Sequence, residues 1–326
     1  MSYLVFDLDE TLADLTFIYH FLMSLRIKEH ILETQPYMIY FFPTKLEEQL
    51  ELTYQKFVER ILQEELSGPL GILRPGILQK MKEIAALKRN GTVKGVVIYS
   101  NNSHLPSLHF VRDIIELHTG PLFDDCIHWL HPSREDDKVN PFIMKTWSAL
   151  LRILHEGPTR APANLSPASV YFFDDLGHTD LMMELKEQYY KVPAFHSTTS
   201  VDRISEIYAE VLSQSQIPMH HLLIYLVDLF DVQSTARYNP EEGTLDTVLT
   251  TIRALIPSKP HVHQPAHDYG IQMIGDVINE QSASSNQSIP SAQSTSSAQS
   301  NQRKRKHRRR YTRRERRITI KKRAYK

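Results

Sequence analysis

Short apolar segments alternate with longer segments of helical periodicity along the first two hundred residues. The apolar segments are rich in β-branched and aromatic residues, as strands are: YLVF, KGVVIY, DCIHWL, SVYFF and YKVPAF. Between them, apolar residues recur every three or four positions, as in ILQKMKEIAALKRN at 77–90. This alternation of strands and helices predicts an α/β fold with a parallel sheet.

A second helix is predicted in the segment NPFIMKTWSALLRIL. Asn140 is expected to be its N-cap and Pro141 its first helical residue, because asparagine accepts a bond from a free backbone N–H and proline needs none.

About sixty residues between the first predicted strand and Pro75 show no strand pattern. Apolar residues recur there at helical spacing: Leu46, Leu50, Tyr54, Phe57, Ile61 and Leu62. We therefore predict a helical insertion at 13–72. The periodicity indicates that one face of each helix is buried, but not which part of the protein it packs against. These helices therefore either cover the end of the sheet or pack beside it.

The remaining patterns divide the chain into five parts. We predict an α/β core formed by 1–12 and 73–200, the insertion at 13–72, and a helical extension at 201–280 containing DRISEIYAEVLSQ, MHHLLIYLVDLF and TLDTVLTTIRAL. A Ser/Gln/Asn/Ala-rich segment at 281–302 has little to bury, which predicts a flexible linker. A basic tail, expected to be disordered, follows at 303–326.

The net charge of zero hides a strong asymmetry. The tail holds 15 Lys or Arg against one acid, Glu315, whereas the first 302 residues hold 23 basic and 37 acidic residues. Such a tail contacts phosphates without reading sequence, serves as a nuclear or nucleolar address, or contacts the acidic body of the same chain.

Cysteine usage and hydropathy bear on the compartment. A single cysteine, Cys126, excludes an intrachain disulfide, and no apolar run approaches the roughly 20 residues of a membrane span. The first apolar stretch ends at Asp7, so it is shorter than the apolar core of a signal peptide. We expect an intracellular protein without membrane partners, nuclear or nucleolar, with the cytoplasm as the alternative.

Polar residues follow three of the predicted strands, where ligands bind in parallel α/β sheets. The residues are Asp7, Asp9 and Thr11 after the first strand, Ser100, Asn101 and Asn102 after the second, and Asp174, Asp175 and Asp180 after SVYFF. Alternation along an extended segment directs Asp7 and Asp9 to the same side. Converging carboxylates need a cation, and hard oxygen ligands with open positions suit Mg²⁺. Taken alone, an Asp-x-Asp-x-Thr match occurs easily by chance, and Asp-Asp after a strand is often only a helix cap.

Three segments in this order, FDLDETL, VVIYSNN and YFFDDLGHTD, resemble motifs I, II and IV of the haloacid dehalogenase (HAD) superfamily of aspartyl phosphotransferases. The resemblance covers about residues 1 to 195. Glu10 and the segment LRPGILQKMKEI are similar to the branch of CTD phosphatases and NLI-interacting-factor-like phosphatases, but Leu176 and Gly177 stand where that branch has Ser-Pro.

The resemblance implies a Rossmann-like core, with the insertion in the position of a C1-type cap, and it implies roles for individual residues. Asp7 would be the nucleophile and Asp9 the general acid and base, while Thr11, Ser100 and Asn101 would bind the substrate phosphate. Mg²⁺ would be bound by Asp7, Asp9, Asp174 and Asp175.

A lysine of motif III would offset the negative charge, and Lys138 and Lys145 are the candidates. We favour Lys138, because it lies just before the predicted helix start, where the helix dipole favours an anion. Lys145 would lie more than one turn inside that helix.

The leading hypothesis is a Mg²⁺-dependent phosphatase that hydrolyses a phosphomonoester. Its phosphorylated substrate would be a phosphoprotein, a small phosphate ester or a nucleic-acid end, and the tail would bind nucleic acid nonspecifically or a nuclear import factor. The alternative is a non-catalytic protein of the same fold that holds nucleic acid or an acidic partner through the tail.

Overall fold

A five-stranded parallel sheet in the order β3-β2-β1-β4-β5 lies at the centre of the fold. The computed structural model describes residues 2–34, 42–68, 70–138, 145–230, 243–256 and 268–287. The strands are β1 (Ser2–Phe6), β2 (Val93–Tyr99), β3 (Asp125–Ile127), β4 (Val170–Asp174) and β5 (Tyr189–Lys191), and every neighbouring pair is parallel. The prediction of an α/β fold with a parallel sheet is therefore confirmed, and each of the five apolar segments contributes one strand.

The central strand β1 is buried on both faces. Leu4 and Phe6 point into one apolar cluster, and Tyr3 and Val5 point into the other. This explains why the strand is an uninterrupted apolar run rather than an alternating one. Because β2 and β4 flank β1, the carboxyl ends of these three strands lie side by side.

Helices surround the sheet. Those within the described residues are α1 (Tyr19–Leu25), α2 (Ile27–Thr34), α3 (Thr44–Ser67), α4 (Ile77–Arg89), α5 (Leu105–Thr119), α6 (Glu135–Lys138), α7 (Trp147–Glu156), α8 (Thr179–Leu185), α9 (Val201–Ser213), α10 (Met219–Phe230), α11 (Leu245–Leu255) and α12 (Tyr269–Gln287). Within these same ranges, no helix combines the length and apolar character that crossing a bilayer requires.

The described residues of the insertion form the helices α1, α2 and α3, in agreement with the predicted helical character. Its longest helix, α3, packs against α5 of the core and α9 of the extension. Phe57 of α3 lies between Phe110 and Tyr208, with ring centroids 6.2 and 5.9 Å away. The insertion thus shares its apolar core with both neighbouring parts of the chain.

The helix predicted to begin at Asn140 and Pro141 begins instead at Trp147. Thr146 is extended, and its hydroxyl accepts a bond from the Ala149 N–H, which makes it the N-cap. Asn140 and Pro141 themselves lie outside the described residues. Lys145 therefore precedes the helix, contrary to the prediction that it lies more than one turn inside.

The three helices predicted in the extension are confirmed as α9, α10 and α11, but α12 was not predicted. It continues to Gln287, seven residues into the segment predicted to be a flexible linker. Ile274, Val277 and Ile278 are buried along one face, and the side chain of Gln281 accepts a 2.8 Å bond from the Ser2 hydroxyl. Packing thus orders a segment whose composition alone indicates a linker. Residues 288–302 and the tail lie outside the described ranges.

Candidate active site

The polar residues that follow β1, β2 and β4 lie together at one edge of the sheet. The Asp7 N–H donates to the carbonyl of Phe173 in β4 at 2.8 Å, and the Ser100 N–H donates to the carbonyl of Ile127 in β3 at 2.9 Å. These bonds continue the sheet by one residue and fix where both side chains emerge. Asp174 is the last residue of β4.

A buried lysine lies between two of the carboxylates. Lys145 Nζ is 2.6 Å from Asp7 Oδ1 and 2.6 Å from Asp174 Oδ2. Lys145 is 1 % exposed. Burial acts to lower the pKa of its ammonium, but the two carboxylates raise that pKa above the usual value.

These contacts correct the choice between the two candidate lysines. We assign Lys145, rather than Lys138, to the position facing the carboxylates. Our preference for Lys138 depended on a helix that begins at Pro141, and the helix begins at Trp147. Lys138 is the last residue of α6, and its side chain lies outside the described atoms.

Three of the four predicted metal ligands form a cluster. Carboxylate oxygens of Asp7, Asp174 and Asp175 lie within 4.8 Å of one another, and this is the one such cluster among the described residues. Burial raises the pKa of Asp7 to about 8, against the opposing effect of Lys145. Burial and the nearby Asp174 and Glu10 charges raise the pKa of Asp175 to about 6.

The charges of this cluster suit a divalent cation. One ammonium faces three carboxylates, so ionising all three leaves unbalanced negative charge in a buried site. Carboxylate oxygens at this separation are also the hard ligands that Mg²⁺ takes, one or two at a time with water and phosphate. The residues present therefore fit the predicted metal.

Asp9, the fourth predicted metal ligand, lies outside the cluster. Its carboxylate accepts bonds from Asn102 Nδ2 at 3.1 and 3.2 Å, and Ser100 Oγ lies 3.4 Å away. Burial raises the pKa of Asp9 despite the opposing bond from Asn102. A carboxyl with a raised pKa that accepts bonds from Asn102 suits proton transfer better than metal binding by its side chain.

A cavity of about 250 Å³ opens in front of Asp9. It is lined by Asp9, Glu10 and Asn102 of the core and by residues near the start of the insertion: Asp14, Leu15, Thr16, Tyr19 and His20. The segment that follows the first strand thus borders the approach to the site, while α3 lies against α5 and α9.

Thr11 supports the site from a buried position. Its side chain is fully buried, and its hydroxyl accepts a 3.0 Å bond from the Asp175 N–H. This hydroxyl joins the loop after β1 to the loop after β4, and its contact with the substrate phosphate stays a prediction.

The two residues predicted to bind phosphate after β2, Ser100 and Asn101, differ in their side-chain partners. The Ser100 hydroxyl accepts a 3.0 Å bond from the Asn102 N–H and lies close to Asp9. The side-chain oxygen of Asn101 instead accepts a 2.7 Å bond from Arg134. The amide group that faces Asp9 belongs to Asn102.

Arg74, which the sequence analysis did not single out, holds the loop after β1. Its guanidinium donates to the carbonyl of Thr11 at 2.6 Å, to that of Glu10 at 2.7 Å and to that of Pro193 at 2.6 Å. Glu10 has a φ of +56°, a left-handed conformation that is uncommon outside glycine. The guanidinium therefore stabilises a backbone conformation that the loop would otherwise adopt at a cost.

Asp180, a further acidic residue of the YFFDDLGHTD segment, has a structural partner. Its carboxylate accepts a 2.6 Å bond from the Trp147 N–H at the start of α7. This bond holds the first turn of α7, which begins two residues after Lys145. Asp180 therefore helps to fix the backbone next to the lysine.

Comparisons of the chain with protein-family models, with curated proteins and with solved structures found no match.

Proposed function

We propose that this protein is a Mg²⁺-dependent phosphatase that hydrolyses a phosphomonoester through an aspartyl-phosphate on Asp7. The observation that carries the proposal is the position of Lys145 between Asp7 and Asp174, with Asp175 beside them at the ends of adjacent parallel strands. The resemblance of the three sequence motifs to the HAD superfamily supports the same reaction.

In the first step, a carboxylate oxygen of Asp7 attacks the phosphorus atom of the substrate. An oxygen–phosphorus bond forms at Asp7, and the bond from phosphorus to the leaving oxygen breaks. The proton of the Asp9 carboxyl moves to that leaving oxygen, in agreement with the raised pKa of Asp9. The Ser100 hydroxyl would donate to a phosphate oxygen.

In the second step, a water molecule attacks the phosphorus atom of the aspartyl-phosphate. The Asp9 carboxylate accepts the proton of that water, the bond from phosphorus to Asp7 breaks, and inorganic phosphate leaves. Asp7 and Asp9 are then in their starting states. Lys145 stabilises negative charge on Asp7 before and after the transfer.

Asp7, Asp174 and Asp175 would hold the metal ion. Bound Mg²⁺ would offset the charge of these carboxylates and of the phosphate oxygens, which favours attack by an anionic nucleophile on an anionic ester.

The cavity in front of Asp9 bears on the substrate. Its described lining includes the carboxylates of Asp9, Glu10 and Asp14 and no lysine or arginine. A small or uncharged leaving group, or a phosphorylated protein side chain, fits such a lining better than the polyanionic end of a nucleic acid. We therefore favour a phosphoprotein or a small phosphate ester, with the basic tail acting in nuclear import or in salt-sensitive contacts with nucleic acid.

Hydrolysis of p-nitrophenyl phosphate by the purified protein tests this function. We expect turnover with Mg²⁺, none with EDTA, and none in Asp7→Asn, because an amide oxygen is not a competent nucleophile. Asp202→Asn is the matched control, since Asp202 is exposed on α9, away from the strand ends. Turnover that is indifferent to both EDTA and Asp7→Asn would overturn the proposal, and absent turnover would favour the non-catalytic binding protein.

A further inference from the structure

Arg134 is fully buried and contacts the loop after β2. Its Nη1 donates to the carbonyl of Ser100, and its Nη2 donates to the side-chain oxygen of Asn101 at 2.7 Å. Its Nε donates to Asp137 Oδ2 at 2.7 Å. Three branches of one guanidinium therefore reach three different residues.

Asp137 carries the connection onward to the lysine segment. Its Oδ1 accepts bonds from the Thr146 N–H at 2.9 Å and from the Thr146 hydroxyl at 2.7 Å. Thr146 is the residue directly after Lys145 and the N-cap of α7. Asp137 itself is fully buried, and its Oδ2 also accepts a bond from the Tyr99 hydroxyl.

Aromatic rings fix the plane of the guanidinium. The Arg134 Cζ atom lies 4.5 Å from the ring centroid of Tyr99 and 4.8 Å from that of Trp129. Cation–π contacts of this kind are strongest where the cation is desolvated, as it is in this buried position. The guanidinium is thus confined by rings as well as by its bonds.

We infer that Arg134 is a positioning residue that fixes the position of the Ser100 loop relative to Lys145. This inference rests on the proposed function. The Ser100 loop and Lys145 come from segments about 45 residues apart in the sequence. Arg134 and Asp137 form the bonded path between them. The two groups that face the phosphate and the nucleophile are therefore held by one buried ion pair.

Lysine cannot replace arginine in this role. An ammonium is a point charge without a fixed fork, and it cannot hold the Ser100 carbonyl, Asn101 and Asp137 in their relative directions at once. Arg134→Lys keeps the positive charge beside Asp137 but loses the geometry. It therefore separates a positioning role from simple charge balance.

The test compares Arg134→Lys and Arg134→Ala with the wild type in p-nitrophenyl phosphate turnover. We expect kcat to fall by about 100-fold in both variants, because misplacing a reacting group by about 1 Å costs about that factor. Millimolar guanidinium should restore part of the activity of Arg134→Ala by occupying the slot between Tyr99 and Trp129. A merely structural residue would not show this rescue.

Arg152→Ala is the matched control. Arg152 is a half-buried arginine of α7, and its guanidinium donates to the carbonyl of Ser133, next to Arg134. We expect its kcat to stay close to that of the wild type and to be unaffected by guanidinium. If Arg134→Ala does not fold, the test depends on Arg134→Lys. A folded Arg134→Lys variant with the kcat of the wild type overturns the inference.

A binding readout separates this inference from the proposed function. The dissociation constant of inorganic phosphate, measured by titration calorimetry with Mg²⁺, should rise by about tenfold in Arg134→Lys. If the wild type binds phosphate but shows no turnover, the proposed function fails. The difference in phosphate affinity between the wild type and Arg134→Lys still tests the positioning role of Arg134. Equal affinity in both proteins, or a wild type that does not bind phosphate, overturns the inference.

Discussion

Arg74 Nη1 donates to Asp268 Oδ1 at 2.7 Å and so joins the loop after the first strand to the start of α12. Arg74 is 2 % exposed. Asp268 also accepts bonds from the Gly270 and Ile271 N–H groups, at 2.8 and 3.2 Å, at the start of α12. One carboxylate therefore balances a buried guanidinium and satisfies the start of the last described helix.

Asp268→Ala should destabilise the protein by about 3 kcal/mol, because it removes a helix cap and leaves the Arg74 charge buried without its partner. Urea unfolding followed by circular dichroism measures the change. Asp202→Ala is the control: Asp202 is exposed and 3.4 Å from Arg253, so its loss should cost about 0.5 kcal/mol or less. Equal effects of the two variants would contradict the role given to Asp268.

Lys145→Met should lower kcat on the order of 10³-fold, because it removes the positive charge that stabilises Asp7 during phosphoryl transfer. Lys138→Met should leave kcat near that of the wild type. Steady-state turnover of p-nitrophenyl phosphate compares them, at a temperature where circular dichroism shows both variants folded. The reverse result would restore the assignment that the sequence alone favoured.

Asp9→Asn should separate the two steps of the reaction. The p-nitrophenolate anion leaves without a proton, so formation of the aspartyl-phosphate continues, but no carboxylate remains to activate water. We expect a burst of p-nitrophenolate close to one equivalent, followed by slow turnover, in a stopped-flow measurement. Asp7→Asn should give no burst, and a burst in both variants would contradict the assignment.

The buried imidazole of His109 should lower the free energy of unfolding in mild acid. Burial, followed by the neighbouring Arg112, lowers the pKa of His109 to about 4, while its unfolded value is near 6.5. Between these values the unfolded chain binds a proton that the folded protein does not, so stability falls as the pH falls through 6.5 toward 4. The other groups that act on this imidazole are Asp113, Arg26 and His128.

Unfolding by urea at pH 7 and pH 5 measures this effect. The wild type should lose about 1 kcal/mol more than His109→Gln between the two values, because glutamine does not titrate. An equal pH dependence in the two proteins would show that His109 is protonated in the fold as readily as in the unfolded chain.

The strands and the residues at their ends were predictable because each signal is local. A short apolar run that ends in Asp7 or in Asp174 is read directly from consecutive residues, and parallel topology then brings the ends together. The first motif is specific by itself, and the other two strengthen the family resemblance through their order and position.

The position of Lys145 relative to the helix was predicted wrongly because a local signal indicated a different helix start. Asn140 and Pro141 form a good helix start in isolation, yet the N-cap is Thr146, whose side chain is held by Asp137. That bond comes from a residue nine positions away, and tertiary contacts of this kind are not visible in a propensity pattern.

Arg134 and Asp137 escaped the sequence analysis for a related reason. They lie in the segment SREDDK, whose density of charge is typical of solvated surface. Both are fully buried because each supplies the partner the other requires. Similarly, the Ser- and Gln-rich end of α12 has linker composition, and only the buried face of its preceding turns explains the helix.

Chemical trapping of the proposed aspartyl-phosphate tests directly whether Asp7 is the nucleophile. The enzyme is mixed with p-nitrophenyl phosphate and Mg²⁺, quenched in denaturant, reduced with borohydride and analysed by peptide mass spectrometry. An acyl phosphate at Asp7 is reduced to the alcohol, so we predict homoserine at position 7 in the wild type and, in larger yield, in Asp9→Asn. Turnover without reduction at Asp7, or with reduction at another carboxylate, would contradict the central claim.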